Sequence, residues 1–237
     1  MDIRNTEKVK IKRFENGSLT SFEDVILVEK TFTLFLNGEY FDRMTCTGKE
    51  ITELIAGHLF CGGRIRSVDE LGPVTFNDKA GSVYAQTVSA ASIKNKQGNA
   101  DNEPVNIDYE KAVSVLFEFQ EMSELFKLTG SVHSAALLDA DYKVRFFSDD
   151  MSRFNAVEKV IGKALLSGEG LRHAILVTSS RMPFELLQKA YRAGIKAVFS
   201  ISAPTLESVR FARENKITLL GMFRGNRVNV YSDGTES

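Results

Sequence analysis

Residues 174–232 read AILVTSSRMPFELLQKAYRAGIKAVFSISAPTLESVRFARENKITLLGMFRGNRVNVYS, and the alternation within them decides the fold class. Short apolar runs, AILVT (174–178), AVFSI (197–201) and TLLGM (218–222), have the length and β-branched content of buried strands. Between them, PFELLQKAYRA and TLESVRFAREN place apolar residues at helical spacing, with Gly194 stopping the first helix. A final strand, RVNVYS, follows the Gly225-Asn226 turn. Strands alternating with helices through short connections predict an α/β fold, a mixed sheet with parallel strands covered by crossover helices.

Upstream, FNAVEKVIGKALL predicts another helix, with Asp149 or Asp150 as its cap. HSAALLDADYKVRFFSDD before it reads as two strands turning at Ala140-Asp141. IDYEKAVSVLFEFQEMSELFK (107–127) reads as one amphipathic helix, with Val113, Leu116, Phe117, Phe119, Met122 and Phe126 gathered toward one side. Residues 89–106 are polar, without an apolar period, and predict a long surface loop. The first third is a smaller β-rich unit. EDVILVEKTFTLFLNG (23–38) closes on the hairpin dipeptide Asn37-Gly38, EITELIAGHLF (50–60) predicts a helix, and strands are expected near 74–76 and 82–88. The expected division is 1–106 for this unit and 107–237 for the α/β core carrying the ligand pocket.

Lys and Arg number 30 against 31 Asp and Glu, so no charge excess draws the chain to nucleic acid or an anionic membrane. No signal peptide or membrane-spanning run appears, and a cytoplasmic protein is expected. The two cysteines, Cys46 and Cys61, supply no disulfide framework and no metal-ligand spacing. Each is read as a buried small hydrophobe.

In open α/β sheets ligands lie beyond the carboxyl ends of the strands, where helix N-termini present free N–H groups. Three loops occupy such places. They carry Ser179 and Arg181, Ser202 and Thr205, and Met222-Phe223-Arg224-Gly225-Asn226-Arg227. Hydroxyls, helix-start amides and two guanidinium groups flanking a Gly-Asn turn suit a phosphate or diphosphate. Taken singly, each loop also fits helix capping and solvated arginines. His133, in TGSVHSAAL, enters a buried strand; a lone histidine there is more often a structural residue than a proton carrier, and it is kept as a candidate cofactor contact. His58 and His173 lack metal-ligand spacing to other candidates, and no metal site is expected.

Several segments together resemble the formate dehydrogenase accessory protein family (FdhD). These are Glu29 to Gly38, Cys46-Thr47, GHLFCGGRI, TGSVHSAAL, FNAVEKVIG, and most fully the C-terminal stretch with SISAPT and TLLGMFRGNRVNVY. The resemblance implies a cytidine-deaminase-like core and a homodimer. It further implies a sulfurtransferase, a cytoplasmic sulfur carrier that takes sulfur from a cysteine desulfurase. The recipient is the molybdenum bis(molybdopterin guanine dinucleotide) cofactor destined for formate dehydrogenase. The family's cofactor-binding segment falls on Met222 to Arg227, and a GDP-like fragment is the expected minimal ligand.

This chain departs from the family at the residues that would carry sulfur. The family's C-x-x-C is absent, since residues 89–106 hold no cysteine, and Ser89 or Ser92 cannot form a persulfide. Phe154 stands for a histidine, Ser152 for a glycine and Gly62 for a glutamate. No catalytic residue is therefore assigned. The alternative reading is a noncatalytic cofactor-binding scaffold or regulator. A zinc deaminase, the other chemistry of such a core, is disfavoured because His-x-Glu and Pro-Cys-x-x-Cys are missing.

Overall fold

A computed structural model describes residues 5–88 and 105–235. Most of the predicted 89–106 loop lies outside the described residues. The chain begins with a two-stranded antiparallel ribbon, β1 (Thr6–Glu15) and β2 (Ser18–Leu27), turning at Asn16-Gly17. This hairpin was not among the predicted elements, and the expected strand run 23–38 is divided between β2 and β3.

A four-stranded sheet in the order β4-β3-β6-β5 follows. It comprises β3 (Lys30–Leu36), β4 (Glu39–Cys46), β5 (Leu71–Asn77) and β6 (Ser82–Thr87). Asn37 and Gly38, at φ 54° and 88°, make the tight turn joining β3 to β4. Helix α1 (Ile51–Cys61) covers this sheet, burying Leu54, Ile55 and Leu59 against Phe32, Leu34 and Val83.

The predicted 107–127 helix is two helices, α2 (Tyr109–Gln120) and α3 (Glu124–Thr129). Ser123 breaks it: its Oγ accepts from the Phe126 amide at 2.9 Å and caps α3. Phe117 and Phe126, expected on the buried side, are exposed.

The second, six-stranded sheet runs β12-β11-β10-β9-β7-β8. Its strands are β7 (His133–Leu138), β8 (Val144–Asp150), β9 (Ile175–Thr178), β10 (Ala197–Ser200), β11 (Thr218–Arg224) and β12 (Arg227–Asp233). The central β9, β10 and β11 are mutually parallel, and β7, β8 and β12 add antiparallel edges. Strand alternation feeds two cores. Ala135, Leu137, Leu176, Val198 and Leu219 face helices α4 (Arg153–Ser167), α5 (Phe184–Arg192) and α6 (Leu206–Glu214). Ala136, Leu138, Val177, Phe199 and Leu220 face α2. The fold is therefore mixed α/β, with a helix layer on each face of the larger sheet. No helix among the described residues is long and apolar enough to cross a membrane.

Two of the contacts that fasten the halves together stand out. Helices α1 and α4 cross at Gly57 and Gly162, so closely that a Cβ on Gly57 would lie 1.8 Å from the Glu158 carbonyl oxygen and one on Gly162 1.9 Å from that of Glu53. Beside the crossing, Lys159 and Asp150 form a fully buried ion pair at 2.7 Å. Lys159 also donates to Thr47 Oγ1 at 3.0 Å, while the Asp150 carboxylate accepts from Thr47 N and Asn155 Nδ2. Asp149 and Asp150 do not cap α4 as predicted. Both end β8 with their oxygens committed to the interior, and Ser152 occupies the cap position.

Candidate functional site

Because β7 runs antiparallel to β9, its first residue lies beside the carboxyl end of β9. His133 thus joins a row formed by the ends of the three parallel strands. The Ser179 amide donates to the Ser134 carbonyl at 3.0 Å, the Ser134 amide donates to Ser179 Oγ at 2.9 Å, and His133 Nδ1 lies 3.4 Å from that Oγ. Ser202 Oγ reaches the Ser179 carbonyl at 3.5 Å, and the Met222 amide donates to the Ser202 carbonyl at 3.1 Å. Met222 holds a left-handed φ of 55° at an irregularity in the β11–β12 ladder. Such strain in a bulky residue persists only where the surroundings fix it, and it recurs at ligand sites.

A cavity of about 430 Å³ opens beside this row. His133, Ser134, Ser179 and Ile201 line one side, and Phe119 and Phe126 the other. An apolar wall facing a few convergent polar groups is the usual make-up of a small-molecule site, and the volume is of the same order as such sites.

The residues expected from sequence divide into three groups. His133, Ser179, Ser202 and Met222 come together. Arg224 reaches the cavity wall indirectly, its Nη1 donating to the Ile201 carbonyl at 3.3 Å and to its own neighbour Phe223 at 2.6 Å. Arg181, Thr205, Gly225, Asn226 and Arg227 are exposed around the strand ends. The Thr205 hydroxyl is occupied in capping α6, 2.9 Å from Ser208 Oγ. Phe223 points into the core beneath α2 and is 2% exposed, which leaves only its backbone near the cavity. The Gly225-Asn226 segment is the turn of a β-hairpin, with Arg224 and Arg227 directly opposite each other across it.

Sequence reading missed Ser123, Ser134, Asp149 and Arg153. Asp149 accepts from Ser134 Oγ at 2.5 Å and from Ser123 Oγ at 2.8 Å. Burial pushes its carboxyl above the usual range, against the lowering by these two hydroxyls. Burial, seconded by the Arg153 charge, holds the His133 imidazole below its ordinary value. Nothing in the local sequence joins these four residues, because the strand pairing that assembles them is tertiary.

The cysteines are elsewhere. Cys46 and Cys61 are both buried, and desolvation raises both thiols. Cys61 is raised further by Glu158, which stands 2% exposed at the α1–α4 crossing.

This is a mixed α/β protein whose larger sheet gathers polar groups around a cavity at its strand ends. Comparison with known proteins places it more narrowly. The FdhD/NarQ family matches residues 27–101 and 87–236. The chain is 31% identical over 244 residues to the sulfur carrier protein FdhD of Bacillus subtilis, covering 93% of each. It is 30% identical over 231 residues to protein FdhD of Methanocaldococcus jannaschii, covering 96% of this chain and 97% of the relative. The crystal structure of a proposed formate dehydrogenase accessory protein from Desulfotalea psychrophila shares the fold, with a TM-score of 0.80, 21% identity and 96% of each chain covered. The chain belongs to the FdhD/NarQ family.

Proposed function

We propose that the protein is an accessory factor for formate dehydrogenase maturation that binds the molybdenum bis(molybdopterin guanine dinucleotide) cofactor at the strand-end cavity. The observation that carries this is the convergence of His133, Ser179, Ser202 and Met222 beside a cavity of about 430 Å³. A cavity of that size accommodates one nucleotide or pterin portion of the cofactor, with the remainder lying over the exposed strand ends near Arg181 and Arg227. In this reading the pocket lies wholly in residues 107–237. Formate dehydrogenase and a cysteine desulfurase are the partners, and the protein acts as a cytoplasmic homodimer.

The test is calorimetric titration of GDP into wild type and Arg227→Ala. Saturable binding that weakens about tenfold or more in the variant supports the pocket, since a charge-assisted phosphate contact contributes roughly 1.5 to 3 kcal/mol. Unchanged binding in the variant places the nucleotide away from the hairpin. An absence of binding by the wild type removes the reading.

A second reading, a scaffold that binds the cofactor without transferring sulfur, is favoured by one observation. Both thiols are buried and raised, the reverse of what an exchanging thiolate needs. Incubation with a cysteine desulfurase and labelled cysteine separates the two readings. Stable label on Cys46 or Cys61 supports sulfur transfer, and no label supports the scaffold.

A further inference from the structure

Arg153, the first residue of α4, has no charge partner among the described residues. Its Nε is buried without a hydrogen-bond partner among the described residues, and its guanidinium lies over the Phe154 ring at 5.0 Å. The nearby carboxylates do not neutralise it. Asp149 is held by Ser134 and Ser123, and Asp150 by Lys159, Thr47 and Asn155. A cation in the first turn also opposes the helix dipole, and α4 has neither an acid there nor a side-chain bond from its cap residue Ser152. A buried guanidinium donor left unpaired is costly unless a ligand completes it.

The cavity supplies the place. Its lining includes Met151 and His133, and His133 pairs across the β7–β8 ladder with Asp150, three residues before Arg153, whose charge helps hold the imidazole low. Next to His133, Ser179 Oγ accepts from the Ser134 amide, which leaves the Ser179 hydroxyl proton to donate. We propose that Arg153, with His133 and Ser179, forms an anion subsite for a phosphoryl group at this cavity. This deepens the cofactor-binding reading and rests on it only in taking the cavity as a ligand site. The phosphoryl group can belong to free phosphate or to a nucleotide.

The test uses protein labelled with ¹³C-histidine. The chain has three histidines, so the His133 resonance is assigned by its loss in His133→Gln. Its titration is followed alone, with inorganic phosphate and with GDP. Either anion at the subsite offsets the Arg153 charge and raises the His133 midpoint by about one pH unit, while His58 and His173 stay put. Without ligand, Arg153→Gln raises the midpoint by removing the repulsion. With ligand, the variant shows no further rise, and its phosphate affinity falls about tenfold or more. Arg153→Lys keeps the charge and retains part of the response, which keeps the test available if the glutamine variant fails to fold. A response to phosphate but not GDP assigns the subsite to the free ion, and a response to both assigns it to nucleotide phosphates as well. GDP that fails to bind by calorimetry while phosphate still moves His133 sinks the cofactor reading and leaves the subsite. No response of His133 to either anion, or an equal response in Arg153→Gln, overturns the subsite even if GDP binds.

Discussion

His133 illustrates how a residue's role is set by its neighbours. Burial and Arg153 both disfavour imidazolium, so the folded protein holds its pKa below the unfolded value of about 6.5. A folded pKa below the unfolded one means that the unfolded chain binds more protons between the two. The associated stability is complete above about pH 6.5 and is lost as pH falls through the folded pKa. We expect wild type to lose stability in this window more steeply than His133→Gln, as measured by urea denaturation at successive pH values. Equal pH dependence would show that His133 is not the group responsible. Lys159 presents the opposite situation, a charge whose partner is inside the protein. Lys159→Met leaves Asp150 buried without its cation and is expected to cost about 3 to 5 kcal/mol in the same measurement. The thiols give a third expectation. Cys46 and Cys61 should react with an aromatic disulfide reagent only as fast as the protein opens, with both becoming reactive in denaturant.

At the scale of elements, the α1–α4 crossing joins the two sheet systems through glycines rather than through large side chains. A methyl group on Gly57 meets the Glu158 backbone, which cannot swing aside as a side-chain end would. Gly57→Ala should therefore cost about 3 kcal/mol despite the gain in helix propensity, and urea midpoints for Gly57→Ala and Gly162→Ala would measure it. A cost below about 1 kcal/mol would mean that the helices separate freely. Sequence reading could not find this contact, because EITELIAGHLF and FNAVEKVIGKALL each look like ordinary buried helices and only their meeting gives the glycines a reason. It did recover the β9-to-β12 region. There the change from strand to helix spacing is carried by short, strongly apolar runs, and local and tertiary demands agree. It failed at Ser123, where one capping hydroxyl outweighed the apolar pattern continuing through Phe126. For the candidate site, Ser179 and Ser202 were expected at strand ends, where the structure brings them together, because position at a strand end follows from the strand and helix pattern. Arg153 was invisible, since lacking a partner is a property of the folded molecule.

For the whole molecule, the β1–β2 ribbon stands apart from the two sheet systems. Among the described residues its two strands pair only with each other, and Val9, Phe14, Leu19, Phe22 and Ile26 on it are 40%, 70%, 59%, 37% and 41% exposed. Its base is tied down by the Val28 amide donating to the Asn5 carbonyl at 2.8 Å and by the Asn5 side chain on the Thr47 carbonyl. Beyond that base its cohesion comes from its own ladder, from contacts of β2 with α3, and from contacts such as Arg13 over Phe22 at 3.7 Å. An isolated two-stranded hairpin is marginal in water, so this ribbon should open far more readily than the strands around His133. Replacing residues 9–24 by a two-residue Asn-Gly turn should leave global stability within about 1 kcal/mol of wild type, because no residue of the ribbon belongs to the three buried clusters. Native-state amide exchange on the intact chain provides the matching measurement, with low protection expected from Lys8 to Val25 and high protection in β7, β9 and β10. Core-like protection of the ribbon in solution, or a loss of several kcal/mol on shortening it, would mean that contacts beyond this single chain hold it.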